Sequence, residues 1–130
     1  MQRRILIVED NGVNRNLVRV LLQKYGYQII EATDGEEAVE VAVREKPDLI
    51  LMDIQLPRMS GYSATGILKG RRDTMDIPII ALTAKAMIGD REKALKAGCD
   101  GYISKPIDTR ELPKVVNSLL DRERPRGEDG

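Results

Sequence analysis

The sequence predicts an α/β fold: a doubly wound, five-stranded parallel sheet with helices on both faces. Three observations predict it. Short apolar runs alternate five times with helix-like segments, the pattern of repeated βαβ units. The run Leu49-Ile50-Leu51-Met52 carries no polar alternation, as in a strand buried on both faces. Four of the strand-like runs finish on residues with reactive side chains, Glu9-Asp10, Asp53, Thr83 and Lys105. In a parallel sheet those ends share one edge. Crossovers should be right-handed, while the pattern alone leaves the strand order open.

The elements follow in order. Ile5 to Val8 reads as the first strand, and Asn11-Gly12 turns the chain into a helix reaching about Tyr25. Leu17, Val18, Leu21, Leu22 and Tyr25 give that helix an apolar stripe, and Gly26 ends it. Tyr27 to Ala32 is a second strand. Asp34 with Glu37 reads as a capping box for a helix burying Ala38, Val39, Ala42 and Val43. Pro47-Asp48 breaks it before the central strand. After Pro57 and Gly61 a third helix runs to about Arg72, weakened by Gly66 and Gly70, with Ile67 and Leu68 as a modest apolar face.

Ile79 to Leu82 is the fourth strand. Signals are mixed from Ala84 to Asp90; a short helix then runs to Ala97, with Gly98 suited to a left-handed cap. Tyr102 to Ser104 is the fifth strand. Asp108 and Glu111 form a second capping box, and Leu112, Val115, Val116, Leu119 and Leu120 make the cleanest amphipathic helix. Pro113 would clash inside it, so this helix should begin late or with a distorted first turn. The domain should occupy residues 1–121. Residues 122–130, charged and carrying Pro and Gly, should form a flexible tail.

Composition excludes several chemistries. The 130 residues suit one domain, and 21 basic residues balance 21 acidic ones, so nothing points to nucleic acid or an anionic membrane. With four Tyr and no Phe or Trp, no platform for stacking bases is present. Histidine is absent, which removes imidazole catalysis and imidazole metal ligands. The single Cys99 rules out an intrachain disulfide and reads as a small filler rather than a reactive thiol. With no signal peptide or membrane-length apolar run in view, a cytoplasmic protein is expected.

The shared edge therefore gathers Glu9, Asp10 and Asp53 with the Thr83 hydroxyl and the Lys105 ammonium. Two carboxylates about 4 Å apart repel by roughly 4 kcal/mol at an effective dielectric of about 20. Such a group protonates or binds a cation, and hard oxygen ligands suit Mg²⁺. A metal so held can neutralise a phosphoryl group arriving at a carboxylate nucleophile. Lys105 adds positive charge and Thr83 a donor. Asp53 is the candidate nucleophile, with Glu9 and Asp10 holding the metal.

In these residues the sequence resembles bacterial response-regulator receiver domains. Val8-Glu9-Asp10-Asn11 looks like the family's acidic pair, and Met52-Asp53 with Pro57 and Gly61 like its phosphorylation loop. Thr83-Ala84 looks like its switch hydroxyl with a small neighbour, and Lys105-Pro106 like its lysine and proline. The resemblance runs from residue 4 to about 120, and Gly98 to Ile107 is typical of stand-alone cell-cycle and phosphorelay regulators and of hybrid kinases.

The resemblance implies a flavodoxin-like sheet in the order 2-1-3-4-5 and phosphorylation of Asp53 from a sensor kinase phosphohistidine. Mg²⁺ would be held by Asp10, Asp53 and the backbone carbonyl of Gln55, with Glu9 reaching it through water. It also implies a cis Lys105–Pro106 bond, Tyr102 as an aromatic switch coupled to Thr83, and a shift of the fourth helix, fifth strand and fifth helix on phosphorylation. Asn14, Arg15, Val18, Pro106 and Ile107 would face the kinase. The first acidic residue is Glu, where the family more often has Asp. Gln55 and Lys85 occupy positions that tune water access, and so phosphate lifetime.

The implied protein is a single-domain response regulator, a phosphoacceptor rather than an enzyme. Its partners are a sensor histidine kinase or histidine phosphotransfer protein and a downstream protein, and it is expected to be a monomer or weak dimer. Alternatives are a phosphorelay shuttle and a receiver excised from a hybrid kinase. Aspartate-nucleophile phosphatases of the haloacid-dehalogenase type need a second Asp two residues on, where this chain has Gln55. Flavin-type cofactor binding lacks its phosphate loop.

Overall fold

In the computed structural model, which describes residues 2–83 and 89–122, strands and helices alternate throughout. They are β1 (Arg4–Val8), α1 (Gly12–Gln23), β2 (Gln28–Ala32), α2 (Gly35–Glu45), β3 (Leu49–Asp53), α3 (Gly61–Lys69), β4 (Ile79–Thr83), α4 (Asp90–Ala97), β5 (Gly101–Ser104) and α5 (Glu111–Arg122). The strands form one parallel sheet in the order β2-β1-β3-β4-β5, as the resemblance implies. Ala84, Lys85 and residues 123–130, for which the sequence also raises expectations, lie outside the described residues.

The lack of polar alternation in β3 now has its cause. Leu6, Val8, Ile50, Met52, Ile79 and Ala81 point to one face, where Ala38 and Ala42 of α2, Ala64 and Leu68 of α3 and Ala94 of α4 cover them. Ile5, Ile7, Leu49, Leu51, Ile80 and Leu82 point to the other, under Val18 and Leu22 of α1 and Leu112, Val116, Leu119 and Leu120 of α5. Both parities of each central strand are buried, so both must be apolar. No helix among the described residues is long and apolar enough to cross a membrane.

Helix ends are fixed by side chains named from sequence. Asn11 Oδ1 accepts from the Asn14 amide at 3.0 Å and starts α1. Asp34 Oδ1 accepts from the Glu37 amide at 2.8 Å. Glu37 reaches back one residue further than in an ordinary capping box, accepting from the Thr33 amide at 2.7 Å. Asp108 Oδ1 accepts from the Arg110 and Glu111 amides at 2.8 and 3.3 Å. These amides hold its carboxyl below the usual range, so the cap is engaged above the unfolded value and lost as pH falls through the folded one. The last helix begins late, at Glu111, which puts Pro113 in the first turn where its missing N–H costs little. Gly98, with φ +109°, closes α4.

The apolar stripes are narrower than their sequence pattern. α1 stops at Gln23 rather than near Tyr25. Leu17 and Tyr25 are 48% and 54% exposed, leaving Val18 and Leu22 as its anchors. α3 stops at Lys69 rather than near Arg72, and it buries Ala64, Thr65 and Leu68 while Ile67 is exposed. α2 buries Val41 in addition to the alanines. Opposite the reactive edge, Lys69 Nζ donates to Asp100 Oδ2 (2.9 Å) and to the Ile77 carbonyl (2.7 Å), and Asp100 accepts from the Ile79 amide (2.9 Å). This tie fixes the entry to β4.

Leu51 is fully buried in β3. Leu51→Ala should lower the unfolding free energy by about 3 kcal/mol in urea titration. A loss below about 1 kcal/mol would show the layer under α1 and α5 to be loosely packed.

Candidate functional site

Strand register assembles the reactive edge. Val8 pairs with Met52, so Glu9 and Asp53 emerge side by side. Asp53 pairs with Leu82, one residue before Thr83, and Thr83 pairs with Ser104, one residue before Lys105. The Lys105 amide donates to the Thr83 carbonyl at 2.7 Å, which extends the ladder by one step.

Carboxylate oxygens of Glu9, Asp10 and Asp53 lie within 4.8 Å of one another. Glu9 and Asp53 are 2% and 3% exposed, whereas Asp10 faces solvent. Lys105 Nζ donates to Glu9 Oε1 at 2.7 Å and to Asp53 Oδ2 at 3.0 Å. Asp53 Oδ1 accepts from the Gln55 amide at 3.0 Å, and Glu9 Oε2 from the Asn11 amide at 3.2 Å. Burial pushes the Glu9 carboxyl up; the Lys105 hydrogen bond takes back part of that rise, and the neighbouring Asp53 adds to it. For Lys105, burial alone would lower the ammonium, but its bonds to Glu9 and Asp53 win and raise it. The ammonium therefore stays charged, bridging the two buried carboxylates.

The donor set is oxygen only, partly exposed and crowded with negative charge, which fits Mg²⁺. Two glycines make the geometry possible. A Cβ on Gly61 would stand 2.3 Å from the Asp53 carbonyl oxygen, and one on Gly35 would stand 2.2 Å from the Met59 carbonyl oxygen. The first turns of α3 and α2 thus press directly on β3 and the loop after it.

The remaining sequence-selected residues are distributed as follows. Thr83 is buried at the end of β4. Gln55 is exposed. The Lys105–Pro106 bond is cis. Tyr102 is half-buried against the α2–α3–α4 side and lines a cleft of about 360 Å³ with Arg91, Leu95 and Glu111. Cys99 is buried, its thiol 3.9 Å from Thr65 Oγ1 and raised by burial, in keeping with a filler. Of the residues assigned to a docking face, Pro106 is exposed and Asn14, Arg15 and Ile107 are partly exposed. Val18 does not belong with them: it is 1% exposed and packs under α1. Arg15 also does more than line a surface. Its Nη1 donates to the Glu9 carbonyl at 2.8 Å and its Nε pairs with Glu31 Oε1 at 2.9 Å, a contact that sequence reasoning missed.

Comparison with known proteins agrees with this geometry. Residues 5–117 match the family model of the response regulator receiver domain. The polar-differentiation response regulator DivK of Brucella anthropi is 45% identical over 120 residues, covering 92% of this chain and 98% of that protein. The receiver domain of sensor histidine kinase PA1611 from Pseudomonas aeruginosa PAO1 has a magnesium ion coordinated in its active site cleft. It superposes with a TM-score of 0.87 at 40% identity, covering 93% of this chain and 99% of that one. A CheY-like receiver domain protein from Methanospirillum hungatei JF-1 gives a TM-score of 0.88 at 28% identity over 100% of both chains.

Gly61→Ala should displace the Asp53 carbonyl, costing about 2 kcal/mol of stability by urea unfolding and weakening cation binding. Full retention of both would contradict the close approach. Lys105→Met leaves two buried carboxylates facing each other, so in chelator the variant should lose about 3 kcal/mol. Millimolar Mg²⁺ should recover part of that loss. An unchanged melting temperature in chelator would mean that the ammonium does not neutralise the pair.

Proposed function

The chain belongs to the response regulator receiver domain family, and from that premise we propose that Asp53 is its phosphoryl acceptor. The observation that carries this is a buried carboxylate held beside two others and one ammonium, with Lys105 Nζ at 3.0 Å from Asp53 Oδ2. An Asp53 oxygen attacks the phosphorus of a phosphohistidine. The new P–O bond forms as the P–N bond breaks, and the imidazole leaves with that electron pair. Asp10, Asp53 and the Gln55 carbonyl, with Glu9 through water, would hold Mg²⁺, which would supply charge neutralisation for the phosphoryl oxygens.

The chain's own residues do the rest. The Gln55 amide and Lys105 fix the two Asp53 oxygens in place before reaction. Once the Asp53 carboxylate has become an acyl phosphate, Lys105 can pair with the phosphoryl group instead. Thr83, which lies one residue beyond the level of Asp53 in the neighbouring strand, donates its hydroxyl to a phosphoryl oxygen in this reading. Tyr102, paired with Ala81 in the next strand, then reads the change out to α4, β5 and α5. Such a protein is a phosphoacceptor rather than a turnover enzyme. It takes its group from a sensor histidine kinase or a histidine phosphotransfer protein, and it signals in the cytoplasm by contact with a downstream protein.

The relative matched over 98% of its own length supports a regulator that acts through this one domain. A second reading, the receiver of a hybrid kinase, is supported by the 40% identity to the PA1611 receiver. The full open reading frame separates them.

With acetyl phosphate and Mg²⁺, intact-mass spectrometry should show one phosphoryl group added to the wild-type chain and none to Asp53→Asn. Addition to the variant would place the acceptor elsewhere.

A further inference from the structure

Glu9 and Asp53 are each held by Lys105 and by a backbone amide. Asp10 faces solvent, and the direction of its carboxylate is set by the backbone on either side. On one side stands the Glu9–Asp10 peptide, whose carbonyl accepts from Arg15 Nη1 at 2.8 Å. On the other is Asn11, whose amide donates to Glu9 Oε2 at 3.2 Å and whose carbonyl accepts from the Arg15 amide at 2.9 Å. Arg15 thus touches the acidic turn through both its side chain and its main chain.

The guanidinium is itself anchored. Glu31 pairs in register with Ile7, whose side chain faces α1, so the Glu31 carboxylate emerges on the same side and meets Arg15 Nε at 2.9 Å. The planar fork of arginine lets one group span the strand carboxylate and the turn carbonyl, which a lysine could not do with the same fixed geometry. The Arg15 side chain is 23% exposed in this pair.

We propose that Arg15 is a positioning residue for the cation end of the site: anchored on Glu31, it holds the Glu9–Asp10 peptide so that the Asp10 carboxylate points at Asp53. The inference rests on the proposed function, since it concerns the Mg²⁺ that function requires. Charge alone makes the opposite prediction. A nearby guanidinium repels a cation, so removing it would tighten binding, whereas loss of positioning loosens it.

Isothermal titration of the metal-free protein with magnesium chloride reads the sign directly. Arg15→Met should raise the Kd by about ten-fold, the scale of a lost outer-shell contact. Arg15→Lys keeps the charge but not the fork, and should also raise the Kd, by less; it decides the matter alone if the methionine variant does not fold. Melting curves in chelator separate loss of fold from loss of aim: affinity should fall in variants whose melting stays cooperative. A Kd unchanged or lowered in both folded variants, with wild type binding normally, overturns the proposal and leaves the proposed function intact. Absence of magnesium binding by the wild type would remove both.

Discussion

The register between neighbouring parallel strands is the constraint on which the site depends. Glu9, Asp53, Thr83 and Lys105 lie far apart in sequence. They meet because β1, β3, β4 and β5 all leave the sheet at one edge, and because Val8–Met52, Asp53–Leu82 and Thr83–Ser104 are paired. A slip of one residue would exchange the side chains that face the two layers, and each layer is packed around the shapes it holds. The packing energy of an apolar core therefore holds in place an arrangement of charges that would not assemble by its own attraction.

The same logic separates what the sequence disclosed from what it hid. Strand positions and the acidic edge were legible because an unbroken apolar run ending in a carboxylate suits a strand as it leaves a sheet covered on both faces, and suits little else. The late start of α5 was legible from Pro113, whose ring tolerates only the first turn. Helix stripes were overread: Leu17, Tyr25 and Ile67 fit the helical period but extend past the strip that the sheet can cover. Val18, which the helical period put in the stripe and the resemblance put on the docking face, is settled by packing in favour of the stripe.

Arg15 and Lys69 were illegible for a different reason. A cation on a helix looks like any solvated residue, and what distinguishes these two is the acceptor each finds across the fold, Glu31 and the Glu9 carbonyl for one, Asp100 for the other. Their partners are set by strand register, which the alternation of elements does not encode. Only the parity of Glu31, matched to core-facing Ile7, carried a trace of it. The glycine contacts were half legible: Gly61 was noticed as a motif, while its approach to Asp53 needed the backbone path of α3.

The lysine shared between Glu9 and Asp53 has a consequence for the site's ionic balance. Counting formal charges, the carboxylates of Glu9, Asp10 and Asp53 against the one ammonium of Lys105 leave minus two, the amount one divalent ion cancels. A phosphoryl group on Asp53 replaces a monoanion with a dianion, and the tally then exceeds what metal and lysine can offset. The surplus has to be met by neutral dipoles, and the Thr83 hydroxyl and the amides after β3 stand nearest along the strands. On the proposed phosphorylation those dipoles would be drawn toward the new charge by electroneutrality itself, with no separate trigger required.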